Sequence, residues 1–349
     1  MGEDLYIPLE AEATYEVLPG SPDVRQLEHP TLGMWVTYRK ALRPRYTTVW
    51  FDIGLCFVMM TGGFAAHIVI TSTRGNIFGF EVGALFALWI GFWLNAILTF
   101  GHEAAHYNLA PSRARNDILA DWTIWLFFPE STKNYRRSHW QHHLHLGDPQ
   151  DTEISYHNCL SPWFLARALT GIYLLELVSR YIFRRGPHSS LQRAPRFTPR
   201  GPAANRVAPV LRTMAVHSIF IGVAVAFHAY ASALIWMIAI VFVFPFFASI
   251  RQILEHRAAE AACSTDFKVV PQGPVNRTFG TDLFSRYFGA AGFNRHLLHH
   301  WDPTVSYTRF NEMQIFFNGT HLHGWLERAQ SSYAATFAAL LRKARNEGA

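Results

Sequence analysis

Residues 80–106 read FEVGALFALWIGFWLNAILTFGHEAAH. Phe80–Phe100 is apolar almost throughout, with Glu81 its single charge, and is long enough to cross a bilayer as one helix. The chain then turns polar at His102-Glu103-Ala104-Ala105-His106, where the two histidines are four residues apart and share a helical face. A spanning helix that carries paired imidazoles just past its membrane end sets the expected fold: an all-α integral membrane protein with metal-binding chemistry at one bilayer surface.

Three further runs are long and apolar enough to span: Thr47–Thr71, Val207–Tyr230 and Ser232–Leu254. Short connections join the four runs into two transmembrane hairpins. Arg39, Lys40, Arg43 and Arg45 precede the first, and Arg184, Arg185, Arg193, Arg196, Arg200 and Arg206 lie between the two. By the positive-inside rule both termini and the long middle segment are expected in the cytoplasm. Asp117–Phe128 is too short to span. Ser161–Phe183 carries Arg167, Glu176 and Arg180, and a crossing there would put the last histidines opposite the first. Both are expected as interfacial helices. Gly186–Arg206, with four prolines, reads as a surface linker. The expected division is a cytosolic segment over 1–46, a first hairpin over 47–106, a cytosolic and interfacial region over 107–206, a second hairpin over 207–256, and a cytosolic histidine-rich cap over 257–349.

Composition agrees with a membrane protein. Half of the 349 residues are apolar and collected in runs, while charged residues make up only 16%. The formal charge of +6 lies beside the apolar runs, which points to anionic lipid and not to nucleic acid. Cys56, Cys159 and Cys263 are too few and scattered for a disulfide framework or thiolate cluster and read as buried or incidental. The acidic start suggests no cleavable signal, and Asn346-Glu347-Gly348-Ala349 carries no lipidation or retention signal.

The histidines carry the chemistry. After the first cluster come His139-Trp140-Gln141-His142-His143 and His296-Leu297-Leu298-His299-His300. Positions i, i+3 and i+4 share a helical face, so each cluster is expected to aim its imidazoles at one point. Eight nitrogens exceed what one ion uses, and two metals fit the count. His256, just past the fourth run, is a candidate ninth ligand. Gln252, one turn earlier, could hold a metal-bound water. Outer carboxylates that orient the imidazoles are sought among Glu103, Asp121, Asp148, Asp151, Glu153, Glu255 and Asp302, with Asp148 and Asp151 favoured by their closeness to the second cluster. His67, His145, His157, His188, His217, His228, His321 and His323 read as ordinary polar residues. Trp35, Trp50 and Trp122 read as interface anchors.

Three histidine clusters in this order, two close together and the third distant, between two apolar hairpins, resemble the membrane fatty acid desaturase and hydroxylase superfamily. The resemblance covers about Thr47 to Pro303. It implies two non-haem iron ions held by His102, His106, His139, His142, His143, His296, His299 and His300, with His256 matching an additional histidine after the last span. It implies O2 as co-substrate, an acyl-chain lipid or fatty acid as substrate, and attack on an unactivated C–H bond. Desaturation is the expected outcome; hydroxylation, ketolation and decarboxylation share the same ligands. The chain has no flavin or nucleotide fingerprint and no Fe–S cysteine set, so an external donor of ferredoxin or cytochrome type is expected to supply electrons.

Two other readings start from the residues. His102-Glu103-x-x-His106 is also the zinc-protease pattern with glutamate as general base, which leaves the two His-x-x-His-His clusters without a role. A metal transporter would place its ligands near the bilayer midplane, within the apolar runs, and here they lie outside them.

Overall fold

The structure, a computed structural model, describes residues 21–183 and 207–349. The expected linker at 186–206 and the first twenty residues fall outside that range. Among the described residues the protein is helical, apart from a two-residue hairpin, β1 (Glu28–His29) with β2 (Gly33–Met34). The helices are α1 (Trp35–Tyr38), α2 (Tyr46–Arg74), α3 (Asn76–Ala105), α4 (Arg113–Trp122), α5 (Thr132–His145), α6 (Pro162–Leu169), α7 (Ile172–Phe183) and α8 (Val207–Ala226). They continue with α9 (Tyr230–Ile238), α10 (Phe244–His256), α11 (Leu283–Phe288), α12 (His296–Trp301), α13 (Phe310–Asn318), α14 (His323–Arg328) and α15 (Tyr333–Asn346).

Four helical stretches are long and apolar enough to cross a membrane: Tyr46–Arg74, Asn76–Ala105, Val207–Ala226 and Tyr230–His256. They coincide with the four apolar runs, and the protein is an all-α membrane protein. α2 turns into α3 through Gly75 alone, whose φ of 89° is a conformation that side chains disfavour. α3 has 30 residues. At ~1.5 Å per residue that is ~45 Å, against a hydrocarbon core of ~30 Å, so it has length to spare to carry His102 beyond the apolar layer.

The fourth stretch is continuous through a π-helical turn at Ala239–Val243. Pro245 has no N–H to offer the Val241 carbonyl, and the helix widens just before it. α3 meets this turn at Gly91, where a Cβ would come within 2.5 Å of Val243 Cγ1 and 3.0 Å of the Phe244 nitrogen. Only glycine permits that approach, which sets the two histidine-bearing spans side by side.

Neither segment expected at the interface spans. α4 ends at Trp122, followed by a 3-10 turn at Ile124–Leu126, and the stretch after Ser161 breaks at Gly171, φ 79°, into α6 and α7. The C-terminal part folds over the histidine side on two cores. In one, Trp35 is fully buried, packs against Phe317 with ring centroids 4.7 Å apart, and donates its indole N–H to Asp302 at 2.9 Å. Trp35 is therefore no interface anchor; its ring holds the end of α12. Trp50 donates to the Leu109 carbonyl at 2.9 Å, and Trp122 is exposed. The other core packs Phe279 on Tyr333, centroids 3.8 Å apart, under α10 and α15.

Cys159 and Cys263 form a disulfide, contrary to their reading as incidental, while Cys56 is free and buried. The two are 104 residues apart in sequence, with the second hairpin between them. Only the return of that hairpin to the same surface makes them neighbours, which no spacing rule reveals.

Candidate metal centre

All nine expected histidines are buried, none more than 8% exposed. They converge in two groups: His102, His106, His139, His143 and His299 in one, and His142, His256, His296 and His300 in the other. Within each group one ring nitrogen per residue lies within 4.8 Å of the rest. The groups adjoin, with the His143 and His300 rings 4.6 Å apart.

The expectation that each cluster aims at one point holds only for the first. In the second, His139 and His143 share a group while His142 joins the other. In the third, His296 and His300 share a group while His299 crosses over. Adjacent residues project ~100° apart around a helix, whereas i and i+4 nearly align. Each His-x-x-His-His cluster thus contributes a pair to one group and a single imidazole to its neighbour.

The arrangement has the properties of a metal site. His102 Nε2 lies 2.8 Å from His299 Nε2, His299 Nε2 3.0 Å from His143 Nε2, and His300 Nε2 3.1 Å from His296 Nε2. A neutral imidazole carries one N–H and one lone pair, so such chains leave lone pairs facing lone pairs. The Nε2 atoms of His106, His139 and His142 are buried with no hydrogen-bond partner. Burial, reinforced by neighbouring imidazoles, holds His143, His296, His299 and His300 well below the usual histidine range. His106 is depressed likewise by burial and by His139. Converging and unsatisfied nitrogens, neutral at these positions apart from His142, are the donor set that a divalent transition metal completes, displacing the proton where one is held.

Carboxylates fix the outer nitrogens of two rings. Asp151 accepts from His142 Nδ1 at 2.9 and 3.0 Å through its two oxygens, and Glu153 accepts from His139 Nδ1 at 3.0 Å. His256 donates Nδ1–H to the Val275 carbonyl at 2.9 Å. Each contact turns the ring so that Nε2 faces its group. Burial alone would lower His142, but Asp151 and Glu153 more than offset it and push it up to about 9. Burial would raise Glu153, yet His142 and His139 prevail and hold its carboxyl well below the usual range.

The other acids have different work. Asp148 caps its own turn at Gln150 N, Asp121 accepts from Thr132, Glu255 pairs with Arg251 at 2.6 Å, and Asp302 holds Trp35 and Arg39. Glu103 accepts from Ser306 Oγ at 3.0 Å and lies 3.9 Å from His102 Nδ1, beyond hydrogen-bond reach. Gln252 does not face the histidines with a free amide: it donates to Glu153 at 2.8 Å and accepts from Ser155 N at 2.7 Å, bracing the carboxylate that braces His139.

Residues not singled out in the sequence hold the helix ends. Arg136 of α5 donates to the Ala104 and Ala105 carbonyls at 2.9 and 2.8 Å and pairs with Asp117, tying the second cluster to the terminus of the first. Arg277 donates to the Leu254 and Arg257 carbonyls at 2.9 and 2.6 Å, fixing the helix end that presents His256. Both follow a recognisable rule, a cation at a helix C-terminus, but the partner helix is not readable from spacing. His67 is a buried connector instead, with Nδ1 2.8 Å from Ser232 Oγ and Nε2 3.0 Å from the Gly79 carbonyl.

Comparison with curated proteins gave no match, and neither did comparison with solved structures. Residues 82–315 match the family model described as fatty acid desaturase, a stretch that contains all nine histidines, both outer carboxylates, two of the four spanning helices whole and a third from its seventh residue on. Because that match extends over well more than half of the 349 residues, the chain belongs to the fatty acid desaturase family.

Proposed function

We propose that the chain is a membrane-bound, O2-dependent acyl-chain desaturase with two irons. Its proposed ligands are His102, His106, His139, His143 and His299 for one iron, and His142, His256, His296 and His300 for the other. The observation that carries this reading is the partition of nine buried imidazoles into two adjoining groups. When bound, the iron pair supplies activation of O2 and removal of hydrogen from an unactivated C–H bond. The overall balance is one –CH2–CH2– unit, O2, two electrons and two protons giving one –CH=CH– unit and two waters. An external ferredoxin- or cytochrome-type donor provides the electrons.

The chain's own residues prepare that reaction. Asp151, Glu153 and the Val275 carbonyl set the ring tautomers. Phe293 packs on the shell, its ring centroid 4.5 Å from those of both His102 and His296. Apolar walls hold an acyl chain by burial, at roughly 0.8 kcal/mol per CH2, and keep water from the reacting carbons.

The proposed orientation puts both termini and the histidines in the cytoplasm, with divisions near residues 46, 106, 206 and 256. In that reducing compartment Cys159 and Cys263, both half-buried, would be held as thiols. A membrane-permeant maleimide should label them in intact cells, and an impermeant one should not. Labelling by neither reagent until a reductant opens the Cys159–Cys263 bond, or labelling by the impermeant one, would reverse the orientation.

The zinc-protease reading is disfavoured by Glu103, whose carboxylate is engaged by Ser306 and Tyr307, and by the three further histidines around His102 and His106. The deciding experiment is expression in a host of known lipid composition, with mass spectrometry of its acyl chains and metal analysis of the purified protein. New unsaturation with two irons per chain is expected. Hydroxylated chains or terminal alkenes would move the outcome chemistry, and an iron-free zinc protein would overturn the reading. His143→Ala and His299→Ala should each abolish product.

A further inference from the structure

A cavity of about 300 Å3 lies beside the histidine shell, between α2, α11 and the turn before α13. Along α2 and the residue that caps its start, the wall is formed by Arg45, Thr48, Asp52 and Cys56, spaced three or four apart along one face. At ~1.5 Å per residue it follows that face for ~16 Å, from the polar end of the span into its apolar part. Besides Arg45 the wall carries Arg286 and Arg295, and it also includes Phe100 and Ala290.

Three arginines line the cavity against one carboxylate, Asp52. Arg286 reaches Asp52 at 3.3 Å with its side chain half exposed, and Arg45 is drawn outward to Glu312. Arg295 donates to the neutral amide of Asn311 at 2.5 Å and has no carboxylate within ion-pair distance among the described residues. Burial lowers Arg295 from the ordinary arginine value, with no acid to counter it. Excess positive charge in a partly enclosed wall favours an anion, and guanidinium groups suit the planar, two-oxygen geometry of carboxylates and phosphates.

Two features connect the cavity to lipid. Leu283 and Phe284 are 74% and 57% exposed and sit on the same short helix as the wall residues Arg286 and Tyr287, placing bare apolar side chains within a turn of them. Such residues beside a spanning helix suit the bilayer surface. Inside, the wall includes Phe100, two residues before His102, and Gly292, next to the Phe293 that packs on His102.

We propose that this cavity receives the anionic end, carboxylate or phosphate, of a membrane-borne acyl substrate, with Arg286, Arg295 and Arg45 as its recognition groups. The polar mouth holds the head and the face descending to Cys56 takes the first carbons. This rests on the acyl-chain reading above and deepens it: the substrate is an acidic amphiphile and not a neutral ester or alcohol.

The test uses the full chain in nanodiscs of neutral lipid, loaded with iron. Equilibrium binding of a fluorescent polyene fatty acid is compared with that of the primary alcohol of the same chain, and of a lysophosphatidate by competition. The native protein should prefer the acids to the alcohol by at least about tenfold, as expected for charge-assisted hydrogen bonds in a partly buried site. The tighter of the two acids identifies the head. Arg286→Gln with Arg45→Gln should remove most of that preference while leaving alcohol binding and iron content unchanged. Arg295→Gln should do the same, its iron content serving as the check on neighbouring His296. Equal binding of acid and alcohol by the native protein, an undiminished preference in the double variant, or competition by inorganic phosphate alone as strong as by the amphiphile would each overturn the assignment. The readout is binding, so a native protein that discriminates but yields no oxidised lipid would leave this inference standing and remove the desaturase reading. Product formation with unchanged discrimination in the variants would do the reverse.

Discussion

Asp151→Asn separates the two histidine groups experimentally. Asp151 is 1% exposed and serves three donors: His142 Nδ1 at 2.9 and 3.0 Å, the Glu153 N–H at 2.8 Å, and the Tyr156 hydroxyl. Alanine would leave all three unsatisfied, at ~1–3 kcal/mol each, and would confuse metal loss with unfolding. Asparagine keeps an oxygen for His142 and Glu153 and turns its amide toward Tyr156, whose hydroxyl already accepts from Gly147 N at 2.8 Å. What it removes is the negative charge behind His142, together with the acceptor of the Tyr156 O–H, a loss that the thermal control reads. Loss of such an outer partner costs ~10–100-fold in metal affinity, or ~1.4–2.7 kcal/mol. Only the four-histidine group contains His142, so one iron of two should be affected. The assay is iron per chain by mass spectrometry after dialysis against graded chelator, with thermal unfolding as the control. The variant should lose one iron at ~10–100-fold lower chelator strength and the second at the native value. Simultaneous release of both, or release of neither below the native threshold, would refute the idea that the groups are separate sites oriented by separate carboxylates.

Glu103→Gln should retain both irons and the lipid product, because Gln can still accept from Ser306 and Tyr307; complete loss of activity with intact metal would restore Glu103 as a general base. Glu312 pairs with Arg309 at 2.9 Å and with Arg45, and although burial opposes it these cations hold its carboxyl below the ordinary 4.5. A depressed folded-state value gives stability that is present above the unfolded value and lost as pH falls through the folded one. Glu312→Gln should therefore flatten the acid limb of the unfolding profile below pH ~4.5, by no more than ~1 kcal/mol for a pair this near the surface. An identical acid limb in the variant would show that the pair does not count. Closing a loop of about 100 residues stabilises by up to ~4.7 kcal/mol on chain entropy alone. Oxidised protein should melt at higher temperature than Cys159→Ser, and reductant should erase the difference; a melting point indifferent to both would mean that the pair is not bonded in solution.

Much of the architecture was legible because the features that determine it are long or repeated. Four apolar runs need only length and composition to be recognised, and all four are helices here. Three histidine clusters need only spacing. The rest depended on contacts between distant parts of the chain. Asp151 and Glu153, not Asp148, meet the imidazoles, because the loop after α5 folds back so that residues nine and fourteen positions after the rings, and not the nearer acid, reach them. Gln252 has the helical position of a ligand, but its amide is taken by Glu153, an acid 99 residues away in sequence. Trp35 has the composition of an anchor, yet α13 and Asp302 close over it. In each case the residue type was read correctly and its partner could not be.

The division of each His-x-x-His-His cluster between the two groups has a mechanical consequence. α5 carries His142 and His143 on consecutive Cα atoms, ~3.8 Å apart across a trans peptide, and α12 does the same with His299 and His300. The spacing between the two groups is thereby set by covalent geometry at two points. Bending or breathing of the bundle carries both groups along like two teeth of one gear. Inserting a single residue into either cluster would rotate half its teeth by ~100° and strip both groups at once.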